Sequence, residues 1–183
     1  QLFENFEIGC LYMPQWDNDL SLHLRKTAQL HHVPIQKASA GVTVLREDDI
    51  TVEILAPYRS EYPDENDYSA VVKVTYKNNK FLFAADATSL SEAEMIAFGA
   101  DLDADVLKIA HHGADTSSSQ KFLDTVSPQY AAISVGENNS YGFPDSAVNK
   151  RLDRSNIKVF RTDRDGTIMF FGDGERIGVQ TER

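Results

Sequence analysis

An acid and a pair of histidines each follow an apolar stretch that has the character of a buried strand. Asp86 comes directly after residues 80–85 (KFLFAA), and His111-His112 close residues 106–110 (VLKIA). Functional groups of α/β proteins are commonly placed at the carboxyl ends of such strands. If the two strands are neighbours, a carboxylate and imidazole nitrogens meet, and this ligand set suits Zn²⁺. Asp86, His111 and His112 are therefore the predicted metal-binding residues.

A serine-rich segment follows the histidine pair at the predicted start of a helix. Free backbone N–H groups at a helix start can bind an anion, so Ser117 and Ser118 are predicted to bind substrate beside the metal. Each feature also has an ordinary structural explanation. An acid after a strand is usually a turn residue or a helix cap, a histidine pair is more often structural, and a serine run is most often an N-cap.

Three other polar groups do not indicate a site. His31-His32 is placed at the predicted end of a helix, where the helix dipole favours imidazolium, and is given no metal role. The acids at positions 101, 103 and 105 resemble the start of a calcium loop, but Val106 and His112 stand where that loop needs Gly and Glu. Residues 138–140 (NNS) form a glycosylation sequon without any sign of a secretory context.

The hydrophobic patterns predict a layered α/β protein. Strands are predicted at residues 6–13, 42–45, 51–55, 70–76, 80–85, 106–110, 130–135, 157–161, 167–171 and 176–180, and helices at 16–32, 89–98, 119–126 and 146–154. The strands come first as a meander and then alternate with helices, so we expect a mixed sheet with helices packed outside it. Asn78-Asn79 predicts a hairpin turn, and Ser91 with Glu94 predicts a capping box.

Length and composition favour one globular domain spanning residues 1–183. A hydrophobic content of 42% suffices for one core. The net charge of −10 argues against binding a polyanion through Lys and Arg, although a metal ion would reverse the sign locally. No run approaches the roughly 20 apolar residues of a membrane helix, and the single Cys10 allows no intrachain disulfide. Because the sequence starts with Gln1, we expect a processed product, a trimmed chain or a fragment.

Four segments in order resemble motifs of the metallo-β-lactamase-fold domains of ComEC-type competence proteins. Residues 66–69 with 81–86 resemble "NDxS…FLFTGD", residues 104–113 resemble "ADVLKVxHHGS", residues 134–144 resemble "SVGxxNxYGHP", and residues 161–168 resemble "RTDxxGxI". The resemblance implies the later part of an αββα sandwich, that is, the C-terminal portion of a metallo-β-lactamase domain.

The resemblance also implies a chemistry. Asp86 would bridge two zinc ions, and the pair His111-His112 would supply a ligand to the second ion. The implied reaction is metal-dependent hydrolysis of a phosphodiester, with DNA or a phosphorylated surface molecule as substrate. Ser117, Ser118 and Asn138 are the predicted substrate-binding residues. A lactamase-like or lactonase-like activity on the same scaffold is a further alternative.

The chain departs from the family pattern at several positions. The motif HxHxDH, which carries the main metal ligands of the family, does not occur. Ala85 replaces the family's Gly, Ala114 its Ser, and Phe143 its His. Either a preceding segment of a longer enzyme supplies the missing ligands, or the fold survives as a degenerate, non-catalytic interaction module. We predict that the isolated chain is not a competent hydrolase, because a catalytic zinc normally has three protein ligands.

The absence of the first half of the sandwich predicts a partner. An exposed apolar sheet surface would be covered by the N-terminal half of the domain or by a second chain. The ComEC domain faces outward from a bacterial cell, so the resemblance is compatible with an extracellular or cell-surface location without fixing it.

Overall fold

The computed structural model describes all residues, 1–183, and starts with a small N-terminal unit. Helix α1 (Leu2–Asn5) leads to strand β1 (Leu11–Met13), helix α2 (Asp19–Leu30) and strand β2 (Ile35–Lys37). Strands β1 and β2 pair in parallel. The predicted strand at residues 6–13 is therefore shorter than expected, and β2 was not predicted, because three residues with two exposed polar side chains give no hydrophobic alternation.

A seven-stranded sheet follows, and its spatial order is the chain order. Its strands are β3 (Val42–Glu47), β4 (Ile50–Ala56), β5 (Val71–Tyr76), β6 (Asn79–Phe83), β7 (Val106–Lys108), β8 (Tyr130–Ile133) and β9 (Lys158–Arg161). Strands β3 to β6 pair antiparallel, whereas β6 to β9 pair in parallel. The predicted mixed sheet is confirmed.

The hairpin between β5 and β6 is displaced by one residue from its prediction. Asn79 already pairs with Tyr76, so the turn consists of Lys77 and Asn78, with Lys77 in the left-handed region. Asn79 is buried, and its side chain accepts a hydrogen bond of 2.7 Å from the N–H of Gly174. This distant contact, which the local sequence does not reveal, places Asn79 in the strand.

Three helices cover one face of the sheet, as predicted. These are α3 (Ser89–Ala97), α4 (Gln120–Val126) and α5 (Ser146–Arg154). Their apolar side chains join those of the strands in a single core that includes Leu82, Leu107, Phe122, Ile133 and Leu152. The expected capping box in α3 is wrong: Thr88 caps the helix by accepting from the N–H of Leu90, and Ser91 is buried inside it.

The opposite face of the sheet is only partly covered. After the short helix α6 (Thr162–Asp165), strands β10 (Ile168–Gly172) and β11 (Ile177–Thr181) form a separate hairpin. Phe170 of this hairpin packs edge-on against Phe160 of β9. A cavity of about 320 Å³, lined mainly by apolar side chains, remains between the hairpin and the sheet. Phe83 on this face is 46% exposed.

No helix has the combination of length and hydropathy that crossing a bilayer requires.

Candidate functional site

The site lies where two neighbouring parallel strands end. Phe83 at the end of β6 pairs with Lys108 at the end of β7, so the segments that follow leave the sheet at the same edge. The backbone N–H of His111 donates to the carbonyl of Ala85 over 3.0 Å and ties the two segments together. The sequence-based expectation that these strand ends are adjacent is confirmed by the sheet order.

Asp86 and His112 face each other at this edge. The Nε2 atom of His112 lies 4.0 Å from Oδ1 of Asp86, and both side chains are about half exposed. The Nδ1 atom of His112 lies 2.6 Å from the carbonyl oxygen of Ser134. Because a carbonyl only accepts hydrogen bonds, Nδ1 carries the proton in neutral His112, and Nε2, the nitrogen near Asp86, is the one without a proton in that tautomer. Histidine ligands of metals are commonly oriented by such a hydrogen bond from the other ring nitrogen to a carbonyl.

His111 also reaches the site but in a different environment. Its ring contacts the ring of Phe143 edge-on, with centroids 5.9 Å apart. Its Nδ1 atom is buried and has no hydrogen-bond partner. A buried polar atom without a partner is costly, so this nitrogen has unused capacity to donate or to accept.

The backbone of the histidine segment is unusual. His111, His112 and Gly113 have φ values of 49°, 54° and 86°, all in the left-handed region. L-residues rarely adopt this conformation, and strain of this kind persists only where the surroundings enforce it. At Gly113 a Cβ atom would lie 2.5 Å from Cβ of Pro144, so only glycine fits there. The tight turn makes two successive imidazoles point into one pocket.

The pocket above this turn has a volume of about 710 Å³. Its lining comprises Asp86, His111, His112, Ser134, Val135, Gly136, Asn139, Tyr141, Phe143 and Thr162. The lining therefore contains a carboxylate, two imidazoles and three aromatic or apolar side chains, but no Lys or Arg. A volume of this size is typical of small-ligand sites.

Asn139 takes the position in this pocket that was predicted for Asn138. Asn138 is exposed and left-handed and does not line the pocket. Asn139 accepts from the N–H of Phe143 and donates to the carbonyls of Phe143 and Gly136, so it shapes the loop. The signal was available, because the Asn of the motif "SVGxxNxYGHP" aligns with Asn139. Tyr141 and Thr162 were also missed as site residues.

Ser117 and Ser118 do not reach the pocket, and their predicted substrate role is not supported. Both are buried, at 1% and 0% exposure. The hydroxyl of Ser117 donates to the carbonyls of Ala110 and Ala114. The backbone N–H groups of Ser118 and Ser119 donate to the carboxylate of Glu92 in α3. The acceptor at this helix start is therefore a side chain of the protein itself.

Glu92 and Lys108, which do not line the pocket, have shifted pKa values. Burial raises the pKa of the Glu92 carboxyl to about 7, against the opposing hydrogen bonds from Ser119 and Ser118 and the positive charge of Arg151. Burial also lowers the pKa of the Lys108 ammonium, which the negative charge of Asp86 opposes. The Nζ atom of Lys108 lies 3.4 Å from the carbonyl of Ala85, next to Asp86. Lys108 thus places a positive charge behind the pocket.

The donor set fits a metal ion only in part. Asp86 and His112 offer one oxygen and one oriented nitrogen across 4.0 Å, and His111 offers a further imidazole in the same pocket. Nowhere in the chain do three or more His, Cys, Asp or Glu side chains form a group that could hold a metal. Zinc sites that catalyse reactions normally have three protein ligands per ion.

The acidic residues 101, 103 and 105 have internal partners instead. Asp101 pairs with the buried Lys73 over 2.8 Å, and Asp103 pairs with Lys80. Asp105 accepts from the backbone N–H of Lys80 over 2.7 Å. Each carboxylate thus secures the loop before β7.

Several known proteins are similar to this chain in sequence. No protein-family model matches the chain. Competence protein ComA of Neisseria gonorrhoeae is 37% identical over 137 residues, which are 74% of this chain and 20% of that protein. ComE operon protein 3 of Bacillus subtilis is 31% identical over 145 residues, 79% of this chain and 19% of that protein. Recombination protein 2 of Haemophilus influenzae is 34% identical over 133 residues, 72% of this chain and 16% of that protein.

The chain spans about a fifth of the length of these relatives. Among solved structures, a mutant of CmlA beta-hydroxylase, a metallo-β-lactamase-fold enzyme, is similar with a TM-score of 0.55. The similarity covers 84% of this chain and 38% of that chain at 14% sequence identity. At this level of identity the likeness concerns the fold.

Proposed function

We propose that this chain contributes to a metal-dependent phosphodiester hydrolase acting in DNA uptake. The reason is that the chain belongs to the ComEC-like competence proteins and has the metallo-β-lactamase fold. The observation that carries the proposal is the pairing of Asp86 with His112 at two adjacent strand ends, 4.0 Å apart. The names of two relatives, a competence protein and a recombination protein, support DNA rather than another phosphodiester as the substrate.

Each residue of the site has a defined part in this proposal. Asp86 supplies the carboxylate oxygens, and His112 supplies Nε2, the nitrogen that is free to bind a metal in the neutral tautomer whose Nδ1–H donates to the Ser134 carbonyl. His111 provides a second imidazole from the same turn. A bound zinc ion would supply Lewis acidity and lower the pKa of water toward about 7. Lys108 sits behind Asp86 and offsets part of its negative charge, which helps an anionic substrate to approach.

The remaining metal ligands have to come from outside these residues. Two or three donors are too few for two catalytic ions, and the chain contains no HxHxDH motif. We propose that another part of a longer protein, or a second chain, supplies them. The same element would cover the partly open sheet face around Phe83 and the apolar cavity beside it. The isolated 183-residue segment is then inactive.

A non-catalytic interaction module is the second candidate. Phe143, which stands at the family's His position, fills the space beside His111 with a phenyl ring. This replacement and the small donor set favour loss of catalysis with retention of the fold. The two candidates differ in metal content, because the module requires no ion.

The experiment compares the full protein with the 183-residue segment. Metal content is measured by mass spectrometry, and hydrolysis is measured on bis(p-nitrophenyl) phosphate, DNA, a β-lactam and a lactone. We expect about two zinc or manganese ions per full chain and cleavage of the phosphodiesters only. Asp86→Asn or His112→Ala should lower the rate of hydrolysis by at least about 100-fold. Absence of metal, together with unchanged stability in chelator, would contradict the hydrolase and favour the module.

A further inference from the structure

The rim of the pocket carries a stacked aromatic pair with one free face. The rings of Tyr141 and Phe143 lie 5.5 Å apart and are inclined by only 12°. Phe143 in turn contacts His111 with its edge, so the pair is anchored to the floor of the site. Tyr141 is 79% exposed, and because one face of its ring is covered by Phe143, the opposite face is open.

The loop that carries this pair is held in one conformation. The side chain of Asn139 makes three hydrogen bonds to the backbone at Gly136 and Phe143. The N–H of Gly142 donates to the carbonyl of Asn139, and Gly142 has a φ of 73° that suits glycine. An aromatic ring presented on a fixed loop loses little conformational entropy when a ligand stacks on it.

We infer that Tyr141, supported by Phe143, is a stacking platform for a base of single-stranded DNA whose backbone enters the pocket beside Asp86. This inference rests on the proposed phosphodiester hydrolase. Every nucleobase has a planar π face, so stacking is tolerant of sequence. In a duplex these faces are already stacked, and a platform of this kind selects unpaired strands.

The charge distribution supports stacking as the source of affinity. The pocket lining contains no Lys or Arg, and the chain has a net charge of −10. Proteins that bind DNA through phosphates depend on such cations and bind more weakly as salt rises. Binding at this pocket therefore has a shallow salt dependence, because few counterions are released.

The test measures binding of fluorescent oligothymidylate to the full protein in chelator, where no hydrolysis occurs. We expect Tyr141→Ala to weaken binding about 5- to 150-fold, the range for loss of one stacked base, and Tyr141→Phe to retain it. An abasic oligonucleotide of equal length and the matching duplex should bind weakly and equally to wild type and Tyr141→Ala. Log affinity against log salt should fall with a slope shallower than about −1.5, which corresponds to about two phosphates.

A matched control is available at Phe98. This side chain is 66% exposed and stacks on Tyr58 at 4.6 Å, away from the pocket. Phe98→Ala removes a stacked ring that is also largely exposed and should leave oligonucleotide binding unchanged. Since Tyr141 is exposed, its substitution should not impair folding, and unchanged thermal unfolding checks this.

The outcomes separate this inference from the hydrolase proposal. If Tyr141→Ala binds normal and abasic strands as wild type does, or if wild type binds no oligonucleotide, the platform is refuted. Loss of cleavage in Asp86→Asn would still support the hydrolase in that case. If Tyr141→Ala weakens binding but no form of the protein cleaves DNA, the stacking role of Tyr141 is supported and the hydrolase proposal is contradicted.

Discussion

Two His-His pairs in this chain have the same composition and different surroundings. His31-His32 follows helix α2, is exposed, and has one ring contact, with Phe3 at 5.5 Å. His111-His112 follows β7, lines a pocket and faces Asp86. His32 is left-handed, with a φ of 55°, as are both members of the second pair. Each pair therefore contains a left-handed histidine, although His31 itself has a φ of −95°.

The difference lies in what surrounds the rings. At His112 a carbonyl from the end of β8 fixes the proton on Nδ1, and a carboxylate from the end of β6 faces Nε2. Three strand ends thus surround the imidazole of His112, whereas His31 and His32 are exposed and His31 has a ring contact with Phe3 of α1. The same dipeptide thus becomes a candidate ligand only where several elements converge on it.

Substitutions at each pair in the full protein test whether the surroundings of the rings decide zinc binding. His112→Ala should lower zinc affinity by at least about 100-fold, more than the 10- to 100-fold typical of losing a partner that merely orients a ligand. The double substitution of His31 and His32 by Ala should not change affinity. Competition with a zinc chelator dye measures both. Equal effects at the two pairs would show that their different surroundings do not decide zinc binding.

Gly113 tests whether the backbone turn after the second pair is essential. Gly113→Ala adds a Cβ against Pro144 and forces an L-residue into a φ of 86°, so stability should fall by about 3–5 kcal/mol. Gly99 is also left-handed but has no atom within 4 Å of an added Cβ. Gly99→Ala should therefore cost about 1–2 kcal/mol. Chemical denaturation measures both, and equal losses would show that the contact with Pro144 is unimportant.

Glu92 tests, through pH, the contact between α3 and the start of α4 in the segment that follows the second pair. Its folded-state pKa of about 7 lies above the ordinary value of 4.5, so the folded state holds the proton more tightly. Its contribution to stability is therefore present at low pH and is lost as pH rises from about 4.5 to about 7. At about 1.4 kcal/mol per pH unit, the loss is on the order of 3 kcal/mol. Thermal unfolding across this window should show a steeper fall for wild type than for Glu92→Gln; parallel curves would contradict the prediction.

Substitution of Phe143 by histidine tests the second pair by adding an imidazole nitrogen beside it. Phe143→His places an imidazole beside His111 within the pocket, and zinc affinity should rise about tenfold, or about 1.4 kcal/mol. Phe143→Leu removes the aromatic ring without adding a nitrogen and serves as the control. Isothermal titration of zinc into each variant measures the affinity. An equal rise in zinc affinity in Phe143→Leu and Phe143→His would contradict the prediction.

The smallest expected effect concerns Ala85, which precedes Asp86. Its φ of 48° is left-handed, and glycine adopts this conformation without strain, so Ala85→Gly should stabilise the protein by about 0.5–1 kcal/mol. Ala84→Gly, at a buried position without a positive φ, should destabilise it instead. The denaturant midpoints of the two variants give the comparison. Destabilisation by both would show that packing at Ala85 outweighs its strain.

Local patterns were sufficient to predict most of the fold. The helix at Ser146–Arg154 has the predicted bounds, and the strands of the main sheet differ from prediction by a few residues at most. Short polar elements such as β2 were missed because pairing with β1, rather than their own pattern, creates them. The site was predicted less completely, since Asn139, Tyr141 and Thr162 become neighbours of Asp86 only when the ends of four strands come together.

The sequence by itself determined that Asp86 and His111-His112 lie at strand ends, because each follows an apolar run that must be buried. It also determined the order of strands and helices, and so the mixed sheet. Only the tertiary structure decided which imidazole nitrogen faces Asp86, because the Ser134 carbonyl belongs to another strand end. It likewise decided that the N–H groups of Ser118 and Ser119 serve Glu92, since hydrogen bonds between distant segments exist only once the chain has folded.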